Sequence, residues 1–208
     1  MSAKFLYLYH AKEKIMEQKI KFATNVVLID ATYINKVVGD MRAHFSSVLN
    51  RELPQADLAC LLECMCLDAG MRGTENPIQV IFIYDAQLPK FTACIPSDLD
   101  KELHNVAFKG NLGEFSIYSF QPSEMATREE LFTESLQLLG ECKDTKRIMS
   151  VPDEVEYGAK LGKYIQEMKG KEQITLFGMN PPTSHEHFDF QILGFAILQA
   201  LGVRPDEL

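Results

Sequence analysis

From residue 25 onward, short apolar runs alternate with segments whose apolar residues recur every three or four positions, and the two periods predict strands and helices in turn. Residues 25–31, NVVLIDA, read as a strand of unbroken hydrophobicity that reaches Asp30 at its end. Thr32 is the candidate N-cap of the next helix, which sets Ile34, Val37, Val38, Met41, Phe45 and Val48 on one face. A second helix after Pro54 carries Leu58, Leu61, Leu62, Met65 and Ala69 on one side and stops at Gly70. Residues 78–85, IQVIFIYD, form the second strand, again continuously apolar and again ending on an aspartate. Strands of this kind are covered on both faces, as in a parallel sheet.

Residues 87–113 are less regular, with Ser97 and Asp100 at capping-box spacing before a short helix. Residues 114–120 alternate Phe115 and Ile117 with Ser116 and Tyr118, which suits an edge strand. Thr127 and Glu130 form a capping box that opens a helix with Leu131, Ser135, Leu138 and Leu139 turned inward. A short fourth strand at 147–151 ends at Pro152 and Asp153, and the helix after it carries Leu161, Ile165 and Met168 and stops at Gly170. Strand five is 173–178, followed by the Pro181–Pro182 turn. Thr183 and Glu186 then open a last helix, rich in Phe, Ile and Leu, that ends near Gly202. With right-handed crossovers this order predicts an α/β fold, a three-layer α/β/α sandwich around a five-stranded, mostly parallel sheet.

The 208 residues suffice for one domain with a real core, expected over 25–208. Residues 1–24 read as an N-terminal extension, with Met16 as a candidate natural start. A net charge of -8 argues against broad electrostatic capture of nucleic acid or of an anionic membrane, because both require clustered Lys and Arg. The longest apolar region, 188–201, is interrupted by Asp189 and Gln191 and is too short to cross a bilayer. It reads as a buried or dimer-forming helix. Five cysteines without a secretory signal indicate a reduced, cytoplasmic setting.

The candidate chemistry lies in the acids. Asp30, Asp85 and Asp153 each fall at the carboxyl end of an expected strand, so in a parallel sheet all three face one rim, where ligands of open α/β sheets bind. Carboxylates brought that close resist joint ionisation without a cation, which makes them a candidate Mg²⁺ or Mn²⁺ site. The competing explanation is structural: aspartate after a strand is also a turn former and a helix N-cap. No phosphate-binding loop or dinucleotide fingerprint is present, so no nucleotide cofactor is expected. Cys60, Cys64 and Cys66 lie within one helix and read as small buried side chains rather than zinc ligands, and His185 and His187 as cap or surface residues.

LIDATYIN around Asp30, and RIMSVPDEVEYGAKL followed by ITLFG, resemble the two signatures of the NYN and PIN-like ribonuclease superfamily. The chain is also similar to uncharacterised Bacteroidales proteins that open with a comparable NVVLID strand. The superfamily resemblance implies a Mg²⁺- or Mn²⁺-dependent phosphodiesterase acting on RNA. Asp30, Asp153 and Glu156 would be its catalytic residues and Asp30, Asp85 and Asp153 its metal ligands. Two departures from the pattern, Pro152 for glycine and Glu156 one residue late, point to the alternative of an inactive binding or scaffold domain.

Overall fold

The structure is a computed structural model that describes residues 21–183 and 186–208. The expected N-terminal extension up to residue 20, Met16 included, and His185 lie outside the described residues.

The first strand, β1 (Asn25–Asp30), is buried along its whole length. Its side chains alternate between two cores, as a pleated strand requires: Val27 and Ile29 enter one, Val26 and Leu28 the other. Helix α1 (Ala31–Val48) follows at once, and after it come β2 (Ala56–Asp57) and α2 (Leu58–Asp68). Asp30, rather than Thr32, caps α1, because the strand ends on the residue whose carboxylate can reach the Tyr33 N–H. Asp57 caps α2 in the same way.

Strand β3 (Asn76–Ile83) pairs with β1 in parallel. The irregular region holds β4 (Cys94–Ile95), which pairs with β2, and β5 (Val106–Lys109). Ser97 opens no helix there. The Asp98 carboxylate accepts from the Asp100 and Lys101 N–H groups and closes a turn instead. Strand β6 (Gly113–Phe120) is parallel to β3 and starts at a glycine with φ 148°, where a Cβ would overlap the Asn76 backbone. The expected edge position of β6 is corrected by β5, which pairs with it antiparallel and takes the edge.

Helix α3 (Arg128–Glu141) has both halves of the Thr127–Glu130 capping box, and β7 (Arg147–Val151) returns to the other side of β1. The helix expected after Asp153 is reduced to a 3₁₀ turn (Gly158–Lys160) and the four-residue α4 (Gly162–Ile165). Two glycines and the lack of any side-chain cap explain the shortening, and Leu161 and Ile165 are buried all the same. After β8 (Gln173–Gly178) the chain forms β9 (Asp189–Ile192), and α5 (Leu193–Ala200) begins only there. The apolar run read as one helix is thus an edge strand joined to a shorter helix.

Among the described residues the sheet therefore has seven strands where five were expected, in the order β5-β6-β3-β1-β7-β8-β9, with β5 alone antiparallel. Strand β5 went unread because four residues cannot show a period, and β9 because it is embedded in the apolar run. Helices α1, α2 and α5 cover one face, while α3, α4 and the 3₁₀ turn cover the other. The chain winds outward from β1 through β3 to β6, crosses back, and winds outward again through β7, β8 and β9. Between β1 and β7 the winding reverses, which opens a crevice beyond their carboxyl ends. Among the described residues, no helix is long and apolar enough to cross a membrane.

Candidate functional site

Asp30 ends β1 at the mouth of this crevice and is fully buried. Its Oδ1 accepts from the Tyr33 N–H at 2.9 Å and from Arg128 Nη1 at 2.5 Å, and its Oδ2 accepts from the Tyr157 hydroxyl at 2.5 Å. Asp153, two residues past the end of β7, uses Oδ1 to hold the N–H groups of Val155 and Glu156, both at 3.0 Å. Its Oδ2 faces Arg128 Nη2 at 3.5 Å. Glu156 accepts from the same Nη2 at 2.7 Å. Three of the acids named from sequence therefore meet, and a guanidinium stands among them. The fourth does not join: Asp85 lies two residues past β3, on the other side of β1, where its carbonyl closes a turn with the Leu88 N–H.

Arg128 is the first residue of α3, and its side chain is only 9% exposed. The capping box fixes the start of that helix, so the guanidinium is delivered from a defined point. Lys160 Nζ, 2.6 Å from Glu129 Oε1, ties the same helix start to the 3₁₀ turn. Tyr157 is anchored through its ring, which packs against Phe132 with centroids 5.4 Å apart. Burial pushes the Asp30 carboxyl up from its ordinary 3.8, and the bonds from Tyr157 and Arg128 offset only part of that rise. Burial likewise raises the Tyr157 hydroxyl, which the neighbouring Asp30 raises further, so Tyr157 stays a proton donor.

The donor set, as arranged, does not fit a divalent ion. The Asp30 oxygens already accept three hydrogen bonds, and the cation among the acids is the Arg128 guanidinium. Among the described residues, no group of three or more His, Cys, Asp or Glu side chains is placed to hold a metal ion. Of the helical cysteines, expected to be buried, Cys66 is; Cys60 and Cys64 are half-buried with their Sγ atoms 4.0 Å apart, and burial pushes the Cys64 thiol up to about 12.

Sequence reasoning found the acids and passed over Arg128. One signal was present: a cation in the first turn of a helix opposes the helix dipole and needs a reason, here a nest of carboxylates. The aspartates also do what the structural explanation predicted, Asp30 as a helix cap and Asp153 as a turn former.

Fold and site together define a doubly wound α/β domain whose central crevice is filled by the chain's own arginine. The chain belongs to a family of unknown function, DUF6621, whose sequence profile matches residues 19–208. Comparison with curated proteins and with solved structures returns no match.

Proposed function

We propose that the protein is a PIN-like domain that binds a ligand or partner and does not hydrolyse phosphodiesters. One observation carries this reading: Arg128, bonded to Asp30 and Glu156, stands where the superfamily resemblance would put Mg²⁺ or Mn²⁺. A salt-bridged guanidinium neither lowers the pKa of a bound water nor leaves the acids free to do so. Three carboxyls around one guanidinium also keep the crevice mouth acidic, which repels the phosphates of RNA. The free state of all five cysteines supports a reducing, cytoplasmic setting. A dimer through α5 has the exposed Phe195 in its favour; the other large apolar side chains of that helix are buried in the chain's own core.

The convergence of Asp30, Asp153 and Glu156 favours a second reading, the Mg²⁺- or Mn²⁺-dependent ribonuclease, in which Arg128 would have to leave the cluster. One experiment separates them. The purified protein and its Asp30→Asn variant are incubated with single-stranded RNA and Mn²⁺, and melting is followed with and without the metal. The binding reading expects no cleavage above the variant and no thermal stabilisation, because an ion that binds only the native state must raise its stability. Mn²⁺-dependent cleavage that disappears in Asp30→Asn would overturn it.

A further inference from the structure

The loop that follows β7 has two sides. Asp153, Glu156 and Tyr157 turn toward Arg128, whereas Pro152, Glu154, Val155 and Gly158 line a cavity of about 650 Å³ beyond the carboxyl ends of β7 and β8. This volume is typical of small-molecule sites, and the position, next to the point where the winding reverses, is where open α/β sheets hold ligands. The cavity wall is built on fixed parts. Glu154 Oε2 accepts from the Met179 and Asn180 N–H groups at 2.9 and 3.2 Å, and its Oε1 accepts from Asn180 Nδ2 at 2.9 Å, locking the chain after β8 to the loop after β7. Gly178 permits this lock, because a Cβ there would stand 2.5 Å from Glu154 Oε2.

The lining specifies a chemistry. Phe188 and Phe190, both half-buried, offer aromatic walls, Val155 is 84% exposed at the mouth, and the amides of Gln166 and Asn180 stand among these apolar groups. None of the described lining residues is Lys or Arg, while Glu154 and Glu186 are among them, and the chain carries a net charge of -8. Among the described lining residues no Lys or Arg compensates a phosphate or carboxylate, and the imidazole of the exposed His187 is the only basic side chain, whereas aromatic faces and nearby carboxylates attract a cation. We propose that this cavity is a binding site for a small planar aromatic molecule that is uncharged or cationic, and that it rejects anions such as nucleotides. The assignment names the site and ligand class of the binding reading and rests on it.

Gly162 supplies the test. It lines the cavity, its φ is not in the left-handed region, and a Cβ added to it meets nothing within 4 Å, so Gly162→Phe starts from an unstrained, open position on the cavity wall. The full chain is titrated with thioflavin T, a planar aromatic cation, and with the anionic naphthalene dye 1-anilinonaphthalene-8-sulfonate, both followed by fluorescence and equilibrium dialysis. Thioflavin T is expected to saturate a single site per chain and to bind roughly tenfold or more tightly than the anionic dye. Gly162→Phe should weaken it by about tenfold or more, with an unchanged melting temperature. Val155→Arg, at an exposed position, should shift the preference toward the anionic dye. The proposal is overturned by absent or unsaturable thioflavin T binding, by equal affinity for both dyes, or by binding indifferent to Gly162→Phe in a folded variant. Loss of the cavity assignment leaves the guanidinium-filled crevice standing, and RNA cleavage would defeat the binding reading independently of the dye titration.

Discussion

A guanidinium at the first position of a helix lies against the positive end of the helix dipole, and Arg128 tolerates that position because three carboxyls lie within its reach. The gain does not come from the pair in isolation. Asp30 is fully buried, and burial alone raises its pKa, so most of what Arg128 contributes is cancellation of a desolvation cost. Removing the cation exposes that cost. Arg128→Met should lower stability in urea unfolding by about 3 kcal/mol, the low end for breaking a buried pair, because Asp30 can take up a proton in compensation. Adding Asp30→Asn to Arg128→Met should recover a large part of the loss. A double-mutant cycle on unfolding free energies checks this, and additive losses would mean that the two side chains are not coupled.

At the scale of elements, caps position the site. The capping box of α3 has the Thr127 hydroxyl accepting from the Glu130 N–H at 3.1 Å and Glu130 Oε2 accepting from the Thr127 N–H at 3.0 Å. Both halves were legible from the Thr127–Glu130 spacing alone, because a capping box is local in sequence. Thr127→Ala should cost about 0.5–2 kcal/mol by thermal or urea unfolding, the ordinary value of a lost N-cap. Since Arg128 is the next residue, hydrogen exchange of the Tyr33 and Glu156 amides should rise in that variant beyond the global change. The elements misjudged from sequence fail for the converse reason. Strand β9 and the broken helix after Asp153 are short segments stabilised by a neighbouring strand or by burial of Leu161 and Ile165, and a span of four residues holds too little pattern to reveal either.

Across the whole molecule, two cores share one sheet, and β1 contributes to both with alternate residues. A defect on one face is therefore felt on the other. Leu28, fully buried on the α3 side, should cost about 2–5 kcal/mol when truncated to alanine, within the range for deleting a buried leucine. Near- and far-ultraviolet circular dichroism should still report one coincident transition at a lower midpoint, because neither core can unfold without exposing the strand that serves both. Separate transitions would mean that the two layers are independent units.

The sequence by itself determined the α/β class, the strands β1, β3, β7 and β8, helices α1 and α2, and the places of Asp30 and Asp153 at or just past strand ends, because each of these is written in a local period or at the end of one. Only the tertiary structure decided the sheet order, the two edge strands, the distance of Asp85 from the cluster and the identity of the cation. Those depend on which segments come to lie beside one another. Arg128 and Asp30 are 98 residues apart in the chain, and no local pattern records that a helix start on one crossover will deliver its first side chain to the end of the central strand.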